Sequence, residues 1–194
     1  GTAAFLRDQP CHAALSERLA PLQRTHGHIF LFVGLRGGAR ELGLPRRNLW
    51  VLPGDDLKAC MDRFQADPEA PFGYVGLAFP SAKDPSYEER RPGRSTAALL
   101  AGDVPWEWFE RWRDSRVHRR GEDYEEFKGK FADRLLEVLH AHYPKTRGRV
   151  EHVSAGTPLD TNFYLGKLRG ESYGLQQTLA KSEADFSWLA ARPQ

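Results

Sequence analysis

The stretch H-I-F-L-F-V-G-L at residues 28–35 decides the fold that we expect. It is a continuous apolar run rich in strand-forming residues, which is typical of a buried β-strand. Residues 48–52, 73–79, 95–101 and 149–154 are further candidate strands. Loops or single helices separate these stretches, and no glycine-rich turn joins a strand to a helix. The pattern therefore predicts an α/β fold of the α+β type, with a mixed and largely antiparallel sheet.

Helical periodicity marks the intervals between the strands. One helix is indicated by apolar residues at i, i+3, i+4 and i+7, namely Leu57, Cys60, Met61 and Phe64. Asp55 is available as its N-cap. The longest helix begins near Glu122, where Asp123 and Glu126 have the spacing of a capping box, and Pro144 ends it. The sequence T-P-L-D at residues 157–160 predicts the start of another helix.

Length and charge limit the class of protein. A chain of 194 residues fits a single domain covering residues 1–194. Its 28 basic and 26 acidic side chains leave a formal charge of +2, so the charge gives no reason to expect nucleic acid as a partner. The apolar run at residues 29–35 is far shorter than the roughly 20 residues of a membrane-spanning helix. We therefore expect no transmembrane segment.

The two cysteines indicate a reduced or redox-neutral compartment. Cys11 and Cys60 would pair only if the fold brought them together, and Cys60 lies on the buried stripe of a predicted helix. The seven histidines show no spacing typical of metal ligands, so no metal site is predicted.

A dinucleotide-binding fingerprint is missing from the sequence. The string G-x-G-x-x-G does not occur, and Gly34, Gly37, Gly38 and Gly43 have the wrong spacing for it. These glycines instead predict a loop that leaves the first strand. We therefore do not expect this chain alone to bind FAD tightly.

Aromatic and charged surface segments are possible contacts for partners. In the cluster around residues 106–112, Trp106, Phe109 and Trp112 share one side, while Trp108 points elsewhere. Trp108 is therefore expected to be exposed, at a protein interface or against lipid headgroups, so that peripheral membrane contact stays open. The charged loop at residues 83–94 is expected to be solvated.

Six strings in collinear order resemble those of a flavoprotein family. Two long ones are A-F-P-S-A-K-D-P-S-Y-E-E-R-R-P-G-R-S-T at residues 78–96 and A-G-T-P-L-D-T-N-F-Y-L at residues 155–165. The others are R-G-E-S-Y-G at residues 169–174 and the stretches at residues 34–48, 106–112 and 120–128. Over residues 29–180 the chain thus resembles the retinol saturase and carotenoid isomerase group of the phytoene-desaturase-like FAD oxidoreductases.

This resemblance implies a fold and a set of cofactor contacts. The substrate domain of the family is a mixed sheet with helices over one face. Arg169, Gly170, Tyr173 and Gly174 match a family string near the flavin and the polyene, which implies cofactor binding. Arg169 can offset the negative charge of a reduced flavin or a pyrophosphate, and Tyr173 offers an aromatic face. Without the family, the same residues are typical of an ordinary loop with a packed tyrosine.

The resemblance also implies substrate contacts. Asn162, Phe163 and Tyr164 lie in a matching stretch and would line an apolar tunnel for a retinoid or carotenoid, although Phe163 is equally compatible with a core position. No catalytic residue is identified. In the family, the end of the chain falls just ahead of a strand with a second flavin-contact motif, so the sequence is expected to be an interior portion.

Two functions stay open at this point. In the first, the chain is the substrate-binding portion of an FAD enzyme that saturates or isomerises a retinoid or carotenoid double bond, and it is not competent alone. In the second, it is a non-catalytic binding or scaffolding subunit of a larger assembly, such as a photosynthetic pigment-protein complex. Family members occur at the endoplasmic reticulum and in plastids, so the compartment is not decided.

Overall fold

A computed structural model of the protein describes residue 8, residues 12–176 and residue 178. Cys11, the end of the chain and any pairing between Cys11 and Cys60 lie outside the described residues. Cys60 itself is buried and carries a free thiol.

The described residues form a sheet with helices between its strands. The strands are β1 Gly27–Arg36, β2 Leu49–Val51, β3 Val75–Ala78, β4 Arg94–Val104 and β5 Val150–Gly156. The helices are α1 His12–Leu19, α2 Ala39–Leu42, α3 Leu57–Ala66, α4 Pro80–Lys83, α5 Tyr87–Arg90, α6 Glu122–His142 and α7 Pro158–Leu165. Short 3₁₀ turns cover Trp106–Trp108, Glu110–Trp112 and Pro144–Thr146.

The five strands are ordered β2-β3-β4-β1-β5, and every neighbouring pair is antiparallel. Each of the five strand predictions is confirmed, and so is the α/β class with a largely antiparallel sheet. The predicted loop after β1 is short: Gly37 and Gly38 form the turn, Gly34 lies within β1, and the unpredicted helix α2 follows and ends at Gly43. The central strand β1 pairs on both sides, with β4 and with β5.

One face of the sheet is covered by helices. Alternate residues of β1 and β4 are buried, because successive side chains of a strand point to opposite faces. The covered face packs these residues against α3 and α6 in one core, whose members include Ile29, Leu31, Leu99, Phe64, Phe131 and Leu135. The implied arrangement of helices on one face is therefore confirmed.

Two of the three predicted helix starts differ in detail. Asp56, and not Asp55, caps α3, since its Oδ1 atom accepts a hydrogen bond of 2.9 Å from the backbone N–H of Ala59. Helix α6 begins after Gly121, whose φ of 101° makes the turn without a side-chain cap, so the predicted capping box there is wrong. The capping box at the start of α7 is confirmed.

Trp108 is not an exposed contact residue. Its ring packs at 5.2 Å from the ring of Phe64 and at 5.9 Å from that of Phe131. The segment forms two successive 3₁₀ turns instead of one α-helix, and this tighter winding turns Trp108 toward the core along with its buried neighbours. The expectation of an exposed Trp108 is wrong for this reason.

Within the described part of the chain, no helix is both long and apolar enough to cross a membrane.

Candidate functional site

The face of the sheet opposite the core is aromatic. Phe30 and Phe32 of β1 stack with their ring centroids 6.3 Å apart. Phe32 is 53% exposed, and Trp50 of β2 is 57% exposed. Among the described residues, no helix packs across these side chains. We call this surface, made by Phe30, Phe32, Trp50 and Leu100, the open face.

A shallow groove of about 210 Å³ runs along the open face between Trp50, Phe30 and Leu100. Gly76 of β3 forms part of its floor. A Cβ atom at this position would lie 3.0 Å from the Trp50 ring and 3.3 Å from Leu100. The missing side chain therefore lets the indole lie close to the sheet and keeps the groove lined almost entirely by apolar atoms.

A second groove, of about 810 Å³, reaches the open face from the other side. Phe30 and Phe32 border both grooves. Its other walls are the small residues of β5, Tyr164 and Leu165 of α7, and the side of α6 that carries Tyr124 and Lys128. The structure thus joins the open face to one of the residues that the resemblance implicates in substrate binding.

A β-bulge lies at the end of the open face. The β1–β4 register pairs Gly27 with Val104 and Ile29 with Ala101, so β4 carries one extra residue opposite β1. Asp103 in this bulge has a φ of 56°, in the left-handed region that residues other than glycine seldom adopt. Bulges of this kind are often found next to functional sites, where they redirect a side chain.

Tyr74 lies against this bulge. A Cβ atom at Gly102 would fall 1.9 Å from the phenol oxygen of Tyr74, so only glycine leaves room for the ring in this position. Burial raises the pKa of Tyr74 well above its ordinary value, and the charge of Asp103 and a hydrogen bond to its carboxylate raise it further. Tyr74 is therefore a neutral hydrogen-bond donor at any physiological pH.

His28 completes the cluster. Its side chain is buried, and its Nδ1 atom forms a hydrogen bond with Oγ of Ser172. Burial lowers the pKa of His28 below its ordinary value of 6.5, while the charge of Asp103 opposes this effect. The imidazole is therefore neutral at pH 7. We call Tyr74, Asp103, His28 and Ser172 the polar cluster.

The predicted cofactor-contact residues lie beside the polar cluster. Tyr173 is 82% exposed, and its ring meets the His28 ring edge-on at 5.9 Å. The Arg169 guanidinium pairs with Glu107 at 2.5 Å. Gly170, with a φ of 62°, is packed so closely on Pro158 that a Cβ atom would lie 2.3 Å from the proline carbonyl oxygen. The Gly174 carbonyl accepts a hydrogen bond of 2.8 Å from the Thr25 N–H.

The four predicted cofactor-contact residues therefore have different local environments. Gly170, through close packing on Pro158, and Gly174, through its hydrogen bond with Thr25, hold the loop against the body of the protein. Arg169 forms a solvent-exposed ion pair with Glu107, whereas the Tyr173 ring is largely exposed. Cofactor binding by these four residues stays a prediction.

The three predicted substrate-lining residues have different environments. The Asn162 side-chain amide donates hydrogen bonds of 2.6 and 3.2 Å to the carbonyls of Lys167 and Leu168, and so shapes the turn after α7. Phe163 is 59% exposed and is thus not a core residue. Tyr164 borders the second groove, and its hydroxyl lies 2.9 Å from Nε2 of His118.

The sequence contained weak signals for the polar cluster. His28 is a polar side chain at the start of an apolar strand, and the pair Gly102–Asp103 is typical of a bulge. Tyr74 carries no such signal, because its role depends on a contact with β4. Among the described residues, no group of three or more His, Cys, Asp or Glu side chains is placed to hold a metal ion.

A complete FAD site does not fit the described residues. The pyrophosphate of a dinucleotide is held at a helix N-terminus that follows a parallel strand. All strand pairs among the described residues are antiparallel, and Arg169, the predicted partner of a negative charge, forms a solvent-exposed ion pair with Glu107.

Fold and site together define a half-covered antiparallel sheet with an open face suited to an apolar ligand. The chain is 37% identical over 175 residues to all-trans-retinol 13,14-reductase of Homo sapiens. The aligned region covers 88% of this chain and 28% of the human protein. It is 33% identical over 185 residues to the Danio rerio protein of the same name, with 93% and 30% covered. No protein-family model matches the chain.

These similarities confirm the resemblance of the chain to the retinol saturase group that the motifs predict. The chain corresponds to an oxidoreductase-like portion of these relatives, since it spans less than a third of their length. A Danio rerio protein named inactive all-trans-retinol 13,14-reductase is also similar, with 30% identity over 152 residues, or 75% of this chain and 25% of that protein.

Proposed function

We propose that this chain is the substrate-binding portion of a flavin-dependent oxidoreductase that acts on a retinoid. The observation that carries the proposal is the open face, an aromatic and largely exposed surface on one side of a well-packed sheet. Exposed apolar patches of this kind mark sites of ligand or protein contact in soluble proteins. The names of the relatives supply the class of ligand.

The shape of the open face suits a flat, extended polyene. Phe30 and Phe32 form a continuous aromatic row, and Trp50 stands across the groove from them. Burial of apolar surface contributes about 25 cal/mol per Å², so a long polyene gains much of its binding energy from such a surface.

The groove forms only one wall of a binding site. Its volume of about 210 Å³ is below the roughly 300–1,000 Å³ that is usual for ligand pockets. In this proposal, another part of the complete protein closes the groove and holds the flavin. The described residues then bind and orient the polyene.

Retinoid binding to the open face is testable by titration with all-trans-retinol, followed by quenching of tryptophan fluorescence. Phe32→Ser is expected to weaken binding at least fivefold, because it removes an exposed ring from the middle of the face. Leu57→Ser is the matched control, since Leu57 is also exposed but lies on α3. Equal affinities for the two variants, or no saturable binding by the unaltered protein, would contradict the proposal.

A second candidate function is retinoid binding without catalysis. The similarity to a relative that is named inactive favours it, because this portion of the sequence is present in that protein too. Intact mass and flavin content of the polypeptide purified from its source distinguish the two functions. A mass well above 22.0 kDa with bound flavin supports the oxidoreductase, and a flavin-free protein that binds retinol supports the second function.

A further inference from the structure

We propose that the second groove binds a single-chain lipid that ends in a carboxylate or a phosphate. Arg120 holds the anionic head, and the chain lies against Phe30 and Phe32, which border the same groove. This inference goes beyond the proposed function, because it assigns a second class of ligand to a separate groove. Since the open face uses the same two rings, the lipid competes with a retinoid under the proposed function.

Arg120 is a buried cation that no acidic side chain neutralises. It is 7% exposed, and its Nη1 atom donates hydrogen bonds to the Trp112 carbonyl at 3.3 Å and to the carbonyl and hydroxyl of Ser115 at 3.3 and 3.0 Å. Within the described part of the chain, its Nε and Nη2 atoms have no acceptor, and no carboxylate forms an ion pair with it. A buried charge without an opposite charge is costly, so Arg120 has both charge and donors left for an anion.

The guanidinium of Arg120 is held in place at the groove. Its central carbon lies 5.5 Å from the centre of the Tyr124 ring, and the Tyr124 hydroxyl lies 2.9 Å from that of Thr157. All three residues line the second groove. Because the cation is already ordered, binding an anion costs little further side-chain entropy, and a carboxylate or phosphate can accept two parallel hydrogen bonds from it.

The other charged side chains of the groove are engaged. Lys128 and Glu125 form an ion pair of 2.6 Å. The Asp160 carboxylate accepts hydrogen bonds of 2.8 and 3.1 Å from the N–H and hydroxyl of Thr157, at the N-terminus of α7, where the helix dipole favours negative charge. Arg120 is therefore the charge that a ligand in this groove would neutralise.

The rest of the groove suits an apolar chain. Its volume of about 810 Å³ lies within the roughly 300–1,000 Å³ that is usual for ligand pockets. Its apolar lining includes Phe30, Phe32, Val153 and Leu165. Phe30 and Phe32 form a single row along β1, which favours one extended chain over two. An apolar lining with one anchoring charge fits a ligand that is charged at one end only.

Isothermal titration calorimetry with dodecanoate, dodecyl phosphate and dodecanol tests the role of the head group. We expect the tighter-binding anion to bind at least tenfold more tightly than dodecanol, and the identity of that anion distinguishes a carboxylate head from a phosphate head. Arg120→Met should reduce the preference over dodecanol about tenfold, because it removes the charge and keeps an unbranched side chain. Arg119→Met is the matched control, since Arg119 is the exposed neighbour on the same loop.

Gly129→Leu tests the groove without altering Arg120. Gly129 lies on α6 and lines the groove, and a Cβ atom there would meet nothing within 4 Å. Leucine also favours a helix more than glycine does, so this variant is expected to fold. Its side chain fills part of the groove and should weaken binding of the anionic lipid several-fold, whereas Gly129→Ala should have a smaller effect.

Two results would overturn the inference. One is equal affinity for dodecanol and both anionic lipids. The other is an unchanged anion preference in an Arg120→Met protein that has the circular dichroism spectrum of the unaltered protein. If Arg120→Met does not fold, unchanged lipid affinity in Gly129→Leu overturns the inference instead. Retinol binding without anionic-lipid binding would leave the proposed function intact, and lipid binding without retinol binding would contradict the proposed function alone.

Discussion

Gly170 and Gly166 have the same φ but different surroundings. Both have a φ of 62°, in the left-handed region. A Cβ atom at Gly166 would meet nothing within 4 Å, whereas at Gly170 it would lie 2.3 Å from the carbonyl oxygen of Pro158. Substitution at Gly166 therefore tests the free-energy cost of the left-handed conformation alone. Substitution at Gly170 adds the cost of a steric overlap with the Pro158 backbone.

The two glycine-to-alanine variants are therefore expected to differ in stability. Gly166→Ala should lower the free energy of unfolding by about 1 kcal/mol, which is the conformational cost alone. Gly170→Ala should lower it by about 3 kcal/mol or more, because the Pro158 backbone must also move. Urea denaturation measures both values. Similar losses for the two variants would show that the close approach to Pro158 is relaxed in solution.

His28 makes the stability of the protein depend on pH. Because burial lowers its pKa below 6.5, the unfolded chain binds this proton at a higher pH than the folded protein. Stability is therefore fully present above about pH 6.5 and is lost as pH falls below it. His140 has a pKa lowered by burial too and adds a loss in the same direction.

His28→Asn should flatten this pH dependence. We expect the melting temperature of the unaltered protein to fall more between pH 7.5 and pH 5.5 than that of the variant, with the remaining slope due in part to His140. Thermal denaturation at the two pH values measures the difference. The groups that face His28 are Asp103, Ser172 and Tyr173, so an equal slope in both proteins would mean that their contributions balance the burial of the imidazole.

Tyr173 is expected to act on function without affecting the fold. Its ring is 82% exposed, so Tyr173→Ala removes little packing. Under the proposed function, this substitution should lower retinoid turnover while leaving the melting temperature within about 2 °C. Leu57→Ala serves as a control with an exposed apolar side chain elsewhere. Unchanged kinetics would remove Tyr173 from the site.

At the scale of single elements, helix α7 depends on its first turn. The Thr157 N–H donates a hydrogen bond of 2.8 Å to the Asp160 carboxylate, and the Thr157 hydroxyl also lies 2.9 Å from that of Tyr124. Thr157 is fully buried, so its hydroxyl joins α7 to α6 in the protein interior.

Thr157→Ala is expected to destabilise the protein by about 2 kcal/mol. It removes the capping hydroxyl and leaves the buried Tyr124 hydroxyl without this partner. Thr157→Ser should retain most of the stability, because it keeps the hydroxyl. Chemical denaturation with both variants measures the effect. An equally large loss for serine would assign the role of Thr157 to its methyl group.

Periodicity was sufficient to predict the elements but not their ends. The apolar run at residues 28–35 predicted β1, and the spacing of Cys60 and Phe64 predicted α3, because both patterns follow from burial on one side. The N-cap of α3 was misplaced by one residue, since Asp55 and Asp56 are chemically equivalent in sequence. The burial of Trp108 is not predictable from apolar spacing, because it depends on the 3₁₀ conformation of this segment.

The candidate site was harder to predict than the fold. His28, Tyr74, Asp103 and Ser172 come from four separate parts of the chain. Strand pairing brings the first three together, and hydrogen bonds join Ser172 to His26 and His28. Family motifs led to Tyr173 and to Tyr164, which border the cluster and the second groove. They did not reveal Tyr74, whose place depends on the absence of a side chain at Gly102.

On the scale of the whole molecule, the pairing of β1 governs the order of assembly. Its partners β4 and β5 begin at Arg94 and Val150, so the central strand is synthesised long before either neighbour. Contacts between such distant segments form slowly, because long loops must close first. Phe30 and Phe32 are then exposed on a nascent chain with unpaired edges. We infer that the apolar surface that serves ligand binding is also the surface most in need of chaperone protection during synthesis.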